Sequence, residues 1–369
     1  MGEPLKSLTV RGFKSIRNLE NFELRNLNVL IGANGSGKSN FLEIFSVLSA
    51  MMREGGLKEY VAGTADSFLF GGSKITREIT VQTRFGNNGY DFELVPNNDG
   101  FFLIKGEVTR YFANEHSYSD SIGGNSFDSG LLKARDESGK QRSERSVAWY
   151  VYDSLVSWKK YHFHDTSKEA VKRRYCDNTT FRTLDSRGDR IAAFLYYLKM
   201  EHNDVYQEIV HYVQLAMPFF QDFELEPNAN EQIRLDWMQK GLTEYPLKPY
   251  HFSDGSLRFI CLATALLQPY LPTTLVIDEP ELGLHPEAIG LLAELLRSAA
   301  QRTQVIVATQ SATLLDYFEP DDVIVAKRRD GESTFERLDD SGLDVWLEDY
   351  SLGELWRKNV VEGGTVYER

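Results

Sequence analysis

The sequence has few cysteines and no long apolar segment. Only two of its 369 residues are cysteines, Cys176 and Cys261, which are too few and too far apart for a disulfide framework or a zinc site. No apolar run approaches the roughly 18 residues that a membrane-spanning helix needs. The opening MGEPLKSLTV lacks the charged and apolar regions of a signal peptide. We therefore expect a cytoplasmic protein without a membrane partner, in which Cys261 is a buried, unreactive thiol.

Positive charge is also scarce. The net charge of −13, from 41 Lys and Arg against 54 Asp and Glu, argues against a general nucleic-acid coat, because phosphate binding depends on basic side chains. A local basic strip is compatible with this charge, and its candidates are residues 159–160 (KK) and 172–174 (KRR). A solvated face is the simpler interpretation of both.

The chain shows neither an internal repeat nor sustained heptads, so it has no long coiled coil. Its apolar periodicity predicts an α/β fold with a mainly parallel core sheet and an antiparallel lobe beside it. Residues 113–146, which are polar and rich in Ser, Gly, Asp and Arg, are predicted to form a long loop or a mobile insertion. The predicted strands are 5–10, 22–31, 78–85, 90–94, 274–277 and 304–308, with a hairpin at 322–338, and the predicted helices are 146–160, 188–217, 256–267 and 286–300.

A glycine-rich loop follows the second predicted strand. Residues 32–39 (GANGSGKS) satisfy G-x-x-x-x-G-K-[ST] in full, between an apolar strand and an amphipathic helix. Glycines allow backbone N–H groups to surround phosphate oxygens, and the helix N-terminus adds its positive dipole end. Lys38 should reach the β- and γ-phosphates, and the Ser39 hydroxyl should bind Mg²⁺. The predicted ATP ligands here are Gly32, Asn34, Gly35, Ser36, Gly37, Lys38, Ser39 and Asn40.

Two adjacent acids end a buried strand later in the chain. Residues 275–280 read LVIDEP, and charges at the end of an apolar strand are costly unless they have a task. Asp278 is predicted to hold the Mg²⁺, directly or through water. Glu279 is predicted to orient and deprotonate the attacking water. A strand that ends in solvated acids is the simpler alternative.

Residues 251–256 (HFSDGS) open an apolar helix about 20 residues before these acids. Here the sequence resembles the signature motif of ABC-type ATPases, with Ser253 and Gly255 in the serine and second-glycine positions. In that family the motif binds the γ-phosphate held by the opposite protomer, so the resemblance implies a homodimer. Asp254 replaces the usual glycine, and its charge must point away from the phosphate or pair with a base such as Arg258. The alternative is an ordinary Ser-Asp-Gly helix cap.

Two more segments resemble this family. Residues 281–286 (ELGLHP) look like the D-loop that crosses the dimer interface. Residues 307–311 (VATQS) place Gln310 where the family has its switch histidine. A glutamine amide can donate a hydrogen bond to the γ-phosphate but cannot carry positive charge. The resemblance thus implies catalytic roles for Lys38, Glu279 and Gln310, while the departure from histidine at Gln310 argues against fast turnover.

The start of the chain and its middle are less informative. Residues 11–16 (RGFKSI) match the FKS opening of RecF, SMC and OLD-type ATPases, which implies Lys14 or Ser15 near the nucleotide, while a surface strand end is the alternative. The Q-loop glutamine cannot be assigned; Gln82 is a candidate, although its strand context favours a structural role. Residues 161–167 (YHFHDTS) suggest a metal site, but a packed loop is the simpler interpretation without a second cluster.

The resemblance as a whole is to the bacterial AAA-family ATPases of the RecF/OLD/SMC-like branch. Specific motifs carry it over residues 5–50 and 250–330, and general layout over the rest. It implies an α/β P-loop NTPase of ABC-ATPase type with a helical insertion. The implied domains are 1–100, ATPase lobe I with the P-loop; 101–250, an insertion and helical lobe; 251–338, ATPase lobe II; and 339–369, a helical tail.

Three functions are open at this point. The first is an ATP-dependent clamp that closes as a homodimer and regulates a separately encoded effector such as a nuclease, in antiphage defence. The second is a RecF-like repair ATPase that acts on DNA directly, and the third is an ATP-bound scaffold without useful turnover. Residues 339–360, which carry Trp346 and Trp356, are either a docking patch for a partner or a terminal helix packed on its own domain.

Overall fold

A six-stranded, mainly parallel sheet forms the centre of the fold. The computed structural model describes residues 2–113, 117–163, 165–166, 170, 172, 174–178, 182–338 and 343–361. Four neighbouring pairs of the central sheet are parallel, and only the outermost pair, β16 with β17, is antiparallel. In spatial order the strands are β17 (Glu332–Arg337), β16 (Val323–Arg329), β3 (Leu27–Ile31), β15 (Gln304–Ala308), β14 (Thr274–Asp278) and β8 (Lys159–Tyr161).

The two faces of this sheet bury two different hydrophobic cores. Val276 and Ile306 belong to the core that contains the first helix, whereas their neighbours Leu275 and Val305 belong to the core of the later helices. Both faces are therefore covered, which explains why β3 and β15 are apolar runs rather than alternating ones. The fold class predicted from the sequence is confirmed.

A second six-stranded sheet, antiparallel throughout, forms a lobe beside the first. Its inner strands alternate buried and exposed residues, as expected where one face packs and the other is solvated. In spatial order the strands are β2 (Ile16–Glu23), β1 (Ser7–Phe13), β4 (Ile79–Phe85), β5 (Asn88–Pro96), β6 (Phe102–Tyr111) and β7 (Tyr118–Gly123).

Helices cover the central sheet, and short strands form two further small sheets. The small sheets pair β10 (Phe220–Glu224), β12 (Asp236–Gln239) and β13 (Leu242–Leu247), and β9 (Cys176–Asp177) with β11 (Gln232–Ile233). The α-helices are α1 (Lys38–Met51), α2 (Gly56–Val61), α3 (Val147–Val156), α4 (Ile191–Glu201), α5 (Asn203–Ala216), α6 (Asp254–Leu267), α7 (Pro286–Ala300), α8 (Ala312–Leu315), α9 (Asp344–Leu347) and α10 (Leu352–Arg357). Short 3-10 helices cover Ala65–Phe68, Gly130–Gly139, Arg142–Glu144, Pro249–His251 and Pro320–Asp322. Over the described residues, none of the helices combines the length and apolar character that crossing a bilayer requires.

The prediction of one long loop over residues 113–146 was wrong in part. β7 pairs with β6 through backbone hydrogen bonds, and its polar side chains gave no apolar alternation to detect. The following 3-10 helix is fixed by a buried carboxylate, because Glu107 accepts hydrogen bonds from Ser129 Oγ (2.5 Å) and Gly130 N (2.8 Å). Local composition could not reveal this long-range anchor.

The C-terminal helix packs on its own domain. Leu352 and Leu355 are buried in the core of the later helices, and the N–H of Gly353 donates to Asp316 Oδ1 (2.7 Å). The side chain of Trp346 is half exposed. Residues 339–342, the first part of the predicted docking segment, lie outside the described residues. For residues 352–357 the packed-helix alternative is the one observed.

Candidate nucleotide-binding site

The glycine-rich loop lies at the carboxyl end of β3, and two of its glycines leave no room for a side chain. A Cβ on Gly32 would collide with the Ala326 carbonyl oxygen and would lie 2.6 Å from Ser36 Oγ. Gly37 has φ +109°, and a Cβ there would collide with the Ser333 side chain. β16 and β17 therefore hold the loop closely, and only glycine permits this path.

Lys38, the first residue of α1, folds back over the loop. Its side chain is buried, and its Nζ donates hydrogen bonds to the carbonyl oxygens of Gly32 (2.6 Å) and Ala33 (3.2 Å). Burial lowers the pKa of Lys38, while the carboxylates of Glu279, Asp278 and Glu281 act in the opposite direction. The loop thus holds a cation beside three acids.

Other residues of the loop differ in their exposure to solvent. Asn34, Gly35 and Ser39 are exposed. Ser36 is buried, and its Oγ has no hydrogen-bond partner among the described residues. A glycine cradle with an unpartnered hydroxyl and a buried ammonium is a donor set suited to a polyphosphate.

Asn40 and the FKS segment contact each other. Asn40 Nδ2 donates to Ser15 Oγ (2.7 Å), and Ser15 Oγ also accepts from Ser333 Oγ (2.7 Å). Ser15 therefore braces the start of α1. Lys14 is bound instead to Glu43 in the second turn of α1, and its Nζ lies 4.6 Å from the centre of the Phe68 ring. In this structure the Lys14 ammonium is thus occupied by a carboxylate.

The two adjacent acids lie where β14 ends, beside the end of β15. Asp278 is the last residue of β14 and pairs in register with Ala308. Glu279 has φ +45°, in the left-handed region, and its N–H donates to the Ala308 carbonyl (2.8 Å). Such a conformation in a residue other than glycine costs on the order of 1 kcal/mol or more and is concentrated at functional sites. It turns Glu279 out of the direction of the strand.

Gln310 contacts Glu279 directly. The side-chain amide Nε2 of Gln310 donates a hydrogen bond to Glu279 Oε1, and Gln310 is exposed. The residue in the switch position and the predicted base therefore form one unit across the ends of two adjacent strands. The motif spacing alone did not predict this contact.

Glu281 is a third acid at this edge, and sequence reasoning did not assign it to the site. Its Oε1 accepts hydrogen bonds from Thr309 Oγ1 (2.6 Å) and from the N–H of Gln310 (3.4 Å), while its Oε2 is buried without a partner in the described part of the chain. Burial raises the pKa of Glu281, and the charge of Glu279 raises it further. The available signal was a third acid two residues after Glu279.

The signature-like segment caps α6 and packs against the segment that resembles a D-loop. Ser253 is the N-cap, and its Oγ accepts from Ser256 N (3.1 Å). A Cβ on Gly255 would collide with the Gly283 carbonyl oxygen. Arg258 donates to the Leu282 carbonyl oxygen, and it is attracted to Asp254. The aspartate that replaces the usual glycine is thus balanced by the base four residues later.

Ser253 and Asp254 are both exposed. The start of α6 therefore presents a hydroxyl and helix N-terminal N–H groups at the surface. A helix N-terminus attracts anions.

Gln82, the candidate for the Q-loop glutamine, lies on β4 in the antiparallel lobe, where it pairs with Thr9 and Asp91. The outer neighbour of β14 is β8, in which Tyr161 pairs with Ile277. His162 consequently follows β8 at the edge where Asp278 ends β14.

The metal reading of residues 161–167 gains no support from the described part of the chain. No group of three His, Cys, Asp or Glu residues is placed there to hold a metal ion. Tyr161 and Phe163 are buried and stacked, with ring centres 5.2 Å apart. His164 and Ser167 lie outside the described residues.

Solved structures with a similar fold include SMC head domains. One is an SMC head bound to the C-terminal winged-helix domain of ScpA, at 17% identity and a TM-score of 0.54, covering 94% of this chain and 99% of that one. Another is an SMC head with an extended coiled coil, bound to the C-terminal domain of ScpA derived from Pyrococcus furiosus, at 16% identity and a TM-score of 0.55, covering 94% of this chain and 98% of that one. The likeness shows a shared α/β ATPase-head fold.

A search of curated proteins gives no match. A family model matches residues 27–316, which include the glycine-rich loop, the paired acids and Gln310. Its description is "AAA domain, putative AbiEii toxin, Type IV TA system". Because the match covers most of the 369 residues, the chain belongs to this family of AAA domains.

Proposed function

We propose that this protein binds ATP with Mg²⁺ at the glycine-rich loop and hydrolyses it. The observation that supports this best is the set of side chains at one edge of the central sheet. A buried Lys38 lies near the carboxylates of Glu279, Asp278 and Glu281, and Gln310 contacts Glu279. Such a cluster places a phosphate-binding lysine, Lys38, close to a carboxylate that can act as a base, Glu279.

In the proposed reaction each residue has one task. Lys38 leaves the carbonyl oxygens of its own loop and binds the β- and γ-phosphates. Ser39 and Asp278 would hold the Mg²⁺, which would neutralise charge on the phosphates. Glu279 accepts the proton of the attacking water, and the Gln310 amide orients Glu279.

We further propose that the active site is completed by a second copy of the chain. Ser253 at the N-terminus of α6 and Gly283 are both exposed, and Gly255 packs on the Gly283 backbone. The signature-like segment and the segment that resembles a D-loop therefore form one continuous surface. In a two-fold dimer each signature segment would meet the partner's phosphates, giving two composite sites. This arrangement supports an ATP-dependent clamp.

A mixing experiment tests the composite site. Lys38→Ala and Ser253→Arg protomers are each expected to be inactive, but their heterodimer holds one intact site, so an equal mixture should recover about a quarter of the wild-type ATPase rate. Lys38→Ala mixed with Glu279→Gln is the matched control, because both changes lie in the same half-site and no intact site forms. Equal rates in the two mixtures would show that Ser253 does not act in trans.

We propose that the clamp regulates a separately encoded effector, such as a nuclease, in antiphage defence. The support is the family description, which names a putative toxin of a type IV toxin–antitoxin system, and the similar SMC heads, whose structures contain a bound ScpA domain. Co-purification of the neighbouring gene's product with the Glu279→Gln protein and ATP, but not with Lys38→Ala, tests the regulated contact. Equal capture by both variants would show that binding of the partner does not depend on ATP.

Direct action on DNA is the second candidate, and the structure favours it less. In the described part of the two predicted basic strips, only Arg174 is exposed. Lys172 is buried and donates to the Asp165 carbonyl oxygen (2.5 Å), and Lys159 and Lys160 are half-buried. Arg173 lies outside the described residues. ATP hydrolysis that rises on addition of duplex DNA would reverse this preference.

A further inference from the structure

A pocket of about 380 Å³ lies between α1 and the edge strand β8. Residues of the glycine-rich loop do not line it; its α1 side is formed by Phe45, Ser46, Ser49 and Ala50. At 1.5 Å per helical residue, this part of α1 lies roughly 10 to 18 Å along the helix from Lys38. The pocket is therefore a space separate from the phosphate cradle, on the same face of the sheet.

The lining of this pocket is basic. Lys160 and Arg53 line it together with His162, and among the described residues no aspartate or glutamate does so. Lys159 also borders it, but it pairs with Leu275 of the other core, so its side chain lies on the opposite face of the sheet. This is unusual in a chain of net charge −13. Lys160 pairs in register with Val276 of β14 and is half-buried. Burial lowers the pKa of Lys160, and the charges of Asp278 and Glu43 partly oppose that shift.

The remainder of the lining combines hydroxyl groups with an apolar wall. Ser46, Ser49 and Tyr60 supply hydroxyls. Phe45 and Trp158 supply aromatic surface, with ring centres 5.0 Å apart. Trp158 is only 4% exposed, and its indole N–H has no partner among the described residues. A buried tryptophan N–H is normally hydrogen-bonded.

We infer that this pocket binds a small phosphate monoester, with its phosphate toward Arg53 and Lys160 and its apolar part against Phe45 and Trp158. Arginine, lysine and hydroxyl groups are the donors that recognise phosphate. The volume falls in the range of small-molecule sites, which combine apolar walls with a few placed polar groups. The inference does not depend on ATP hydrolysis at the other site.

Calorimetric titration tests this site. The wild-type protein, saturated with a non-hydrolysable ATP analogue so that the glycine-rich loop is filled, is titrated with thymidine monophosphate, inorganic phosphate and thymidine. Saturable binding of thymidine monophosphate, stronger than that of phosphate or thymidine, is the expected result. No saturable binding of the monophosphate, or equal binding of thymidine, would overturn the inference.

Single variants locate the binding. Arg53→Gln and Lys160→Gln should each weaken binding of the monophosphate by roughly ten-fold or more, as expected for a lost charge-assisted hydrogen bond. Lys74→Gln, at an exposed lysine of the other lobe, is the matched control and should bind as wild type does. Affinity for the ATP analogue, measured on every variant, shows that the fold is kept. Unchanged monophosphate binding in Arg53→Gln and Lys160→Gln would place the ligand elsewhere and overturn the assignment.

Discussion

Lys38 and Glu279, at the edge of the central sheet, differ in how easily a ligand could replace the contacts that hold their side chains. Lys38 is bound to two carbonyl oxygens of its own loop, contacts that phosphate oxygens can replace. Glu279 is fixed more firmly, by its left-handed backbone and by Gln310. The cation can therefore move to a ligand while the base stays in place.

Lys38→Ala should remove most of the ATP affinity and all turnover. The variant loses the cation of the loop, and only the weaker donors of the loop backbone remain. Binding of a labelled ATP analogue measures this, with Lys74→Ala as the control. Wild-type affinity in Lys38→Ala would exclude the glycine-rich loop as the nucleotide site.

Glu279→Gln should keep ATP binding but slow hydrolysis by roughly two orders of magnitude or more, the usual contribution of a general base. An amide keeps the shape of the side chain yet cannot accept the proton. Sedimentation with ATP should also show the dimer accumulating. Glu336→Gln, which removes an exposed carboxylate paired with Lys327, is the control, and an unchanged rate in Glu279→Gln would move the base to another residue.

Glu281 should make stability depend on pH. Burial raises its pKa above the ordinary value of 4.5, so the folded protein holds this proton more tightly than the unfolded chain does. The resulting stabilisation is complete below pH 4.5 and is lost as the pH rises through the raised folded pKa. The free energy of unfolding of Glu281→Gln should therefore increase relative to that of the wild type as the pH rises above 4.5.

Urea unfolding of the wild type and Glu281→Gln across about pH 4 to 8 checks this dependence. The difference between the two proteins should be smallest at the acid end of the series and level off above the raised pKa. A difference that stays constant with pH would mean that the carboxyl of Glu281 titrates normally in the folded state.

At the scale of secondary-structure elements, the predictions that matched the structure were those based on local sequence signals. The helix predicted at 286–300 and the strand predicted at 304–308 match α7 and β15 residue for residue, because Pro286 begins the helix and an uninterrupted apolar run forms the strand. The site motifs also came from short-range patterns. These carry their own backbone requirements and need no distant partner to be recognised.

The elements that were missed depend on distant partners. Lys159 and Lys160 were predicted at the end of a helix, but α3 ends at Val156 and both lysines lie in β8. Pairing with β14, more than a hundred residues later, determines that strand. The contacts of Glu281 with Thr309 and of Gln310 with Glu279 have the same origin, since each joins the ends of two strands that only the folded sheet brings together.

Gly255→Ala tests the junction between α6 and the 281–285 segment. The added methyl would meet the Gly283 carbonyl oxygen, so the two backbones must separate. We expect a loss of about 1–3 kcal/mol in the free energy of unfolding, typical of overpacking, together with weaker ATP-dependent dimerisation. Denaturant unfolding and sedimentation measure the two effects.

Gly124→Ala is the matched control for this junction, because a Cβ there meets no atom within 4 Å. Its unfolding free energy and dimerisation should remain close to those of the wild type. If Gly255→Ala behaves like Gly124→Ala in both measurements, the contact with Gly283 holds neither the fold nor the dimer surface together.

At the scale of the whole molecule, one sheet divides two cores and carries the site on its edge. The side chains of β14 alternate between the cores, and the strand ends in Asp278 between them. Damage to either core therefore shifts the same carboxylate. The phosphate monoester pocket opens on one face of this sheet, beside β14.

The order of strands also governs how the protein is made. Val29 in β3 pairs with Val307 and with Val323, so its strand has no neighbours in the central sheet until β15, at Gln304–Ala308, has been synthesised. At about 5–20 residues per second, the interval is on the order of half a minute. During that time the glycine-rich loop has no scaffold and ATP cannot stabilise the growing chain. Because the apolar strand β3 lacks its sheet neighbours during that time, we expect abundance in the cell to depend on chaperone capacity more than on nucleotide level.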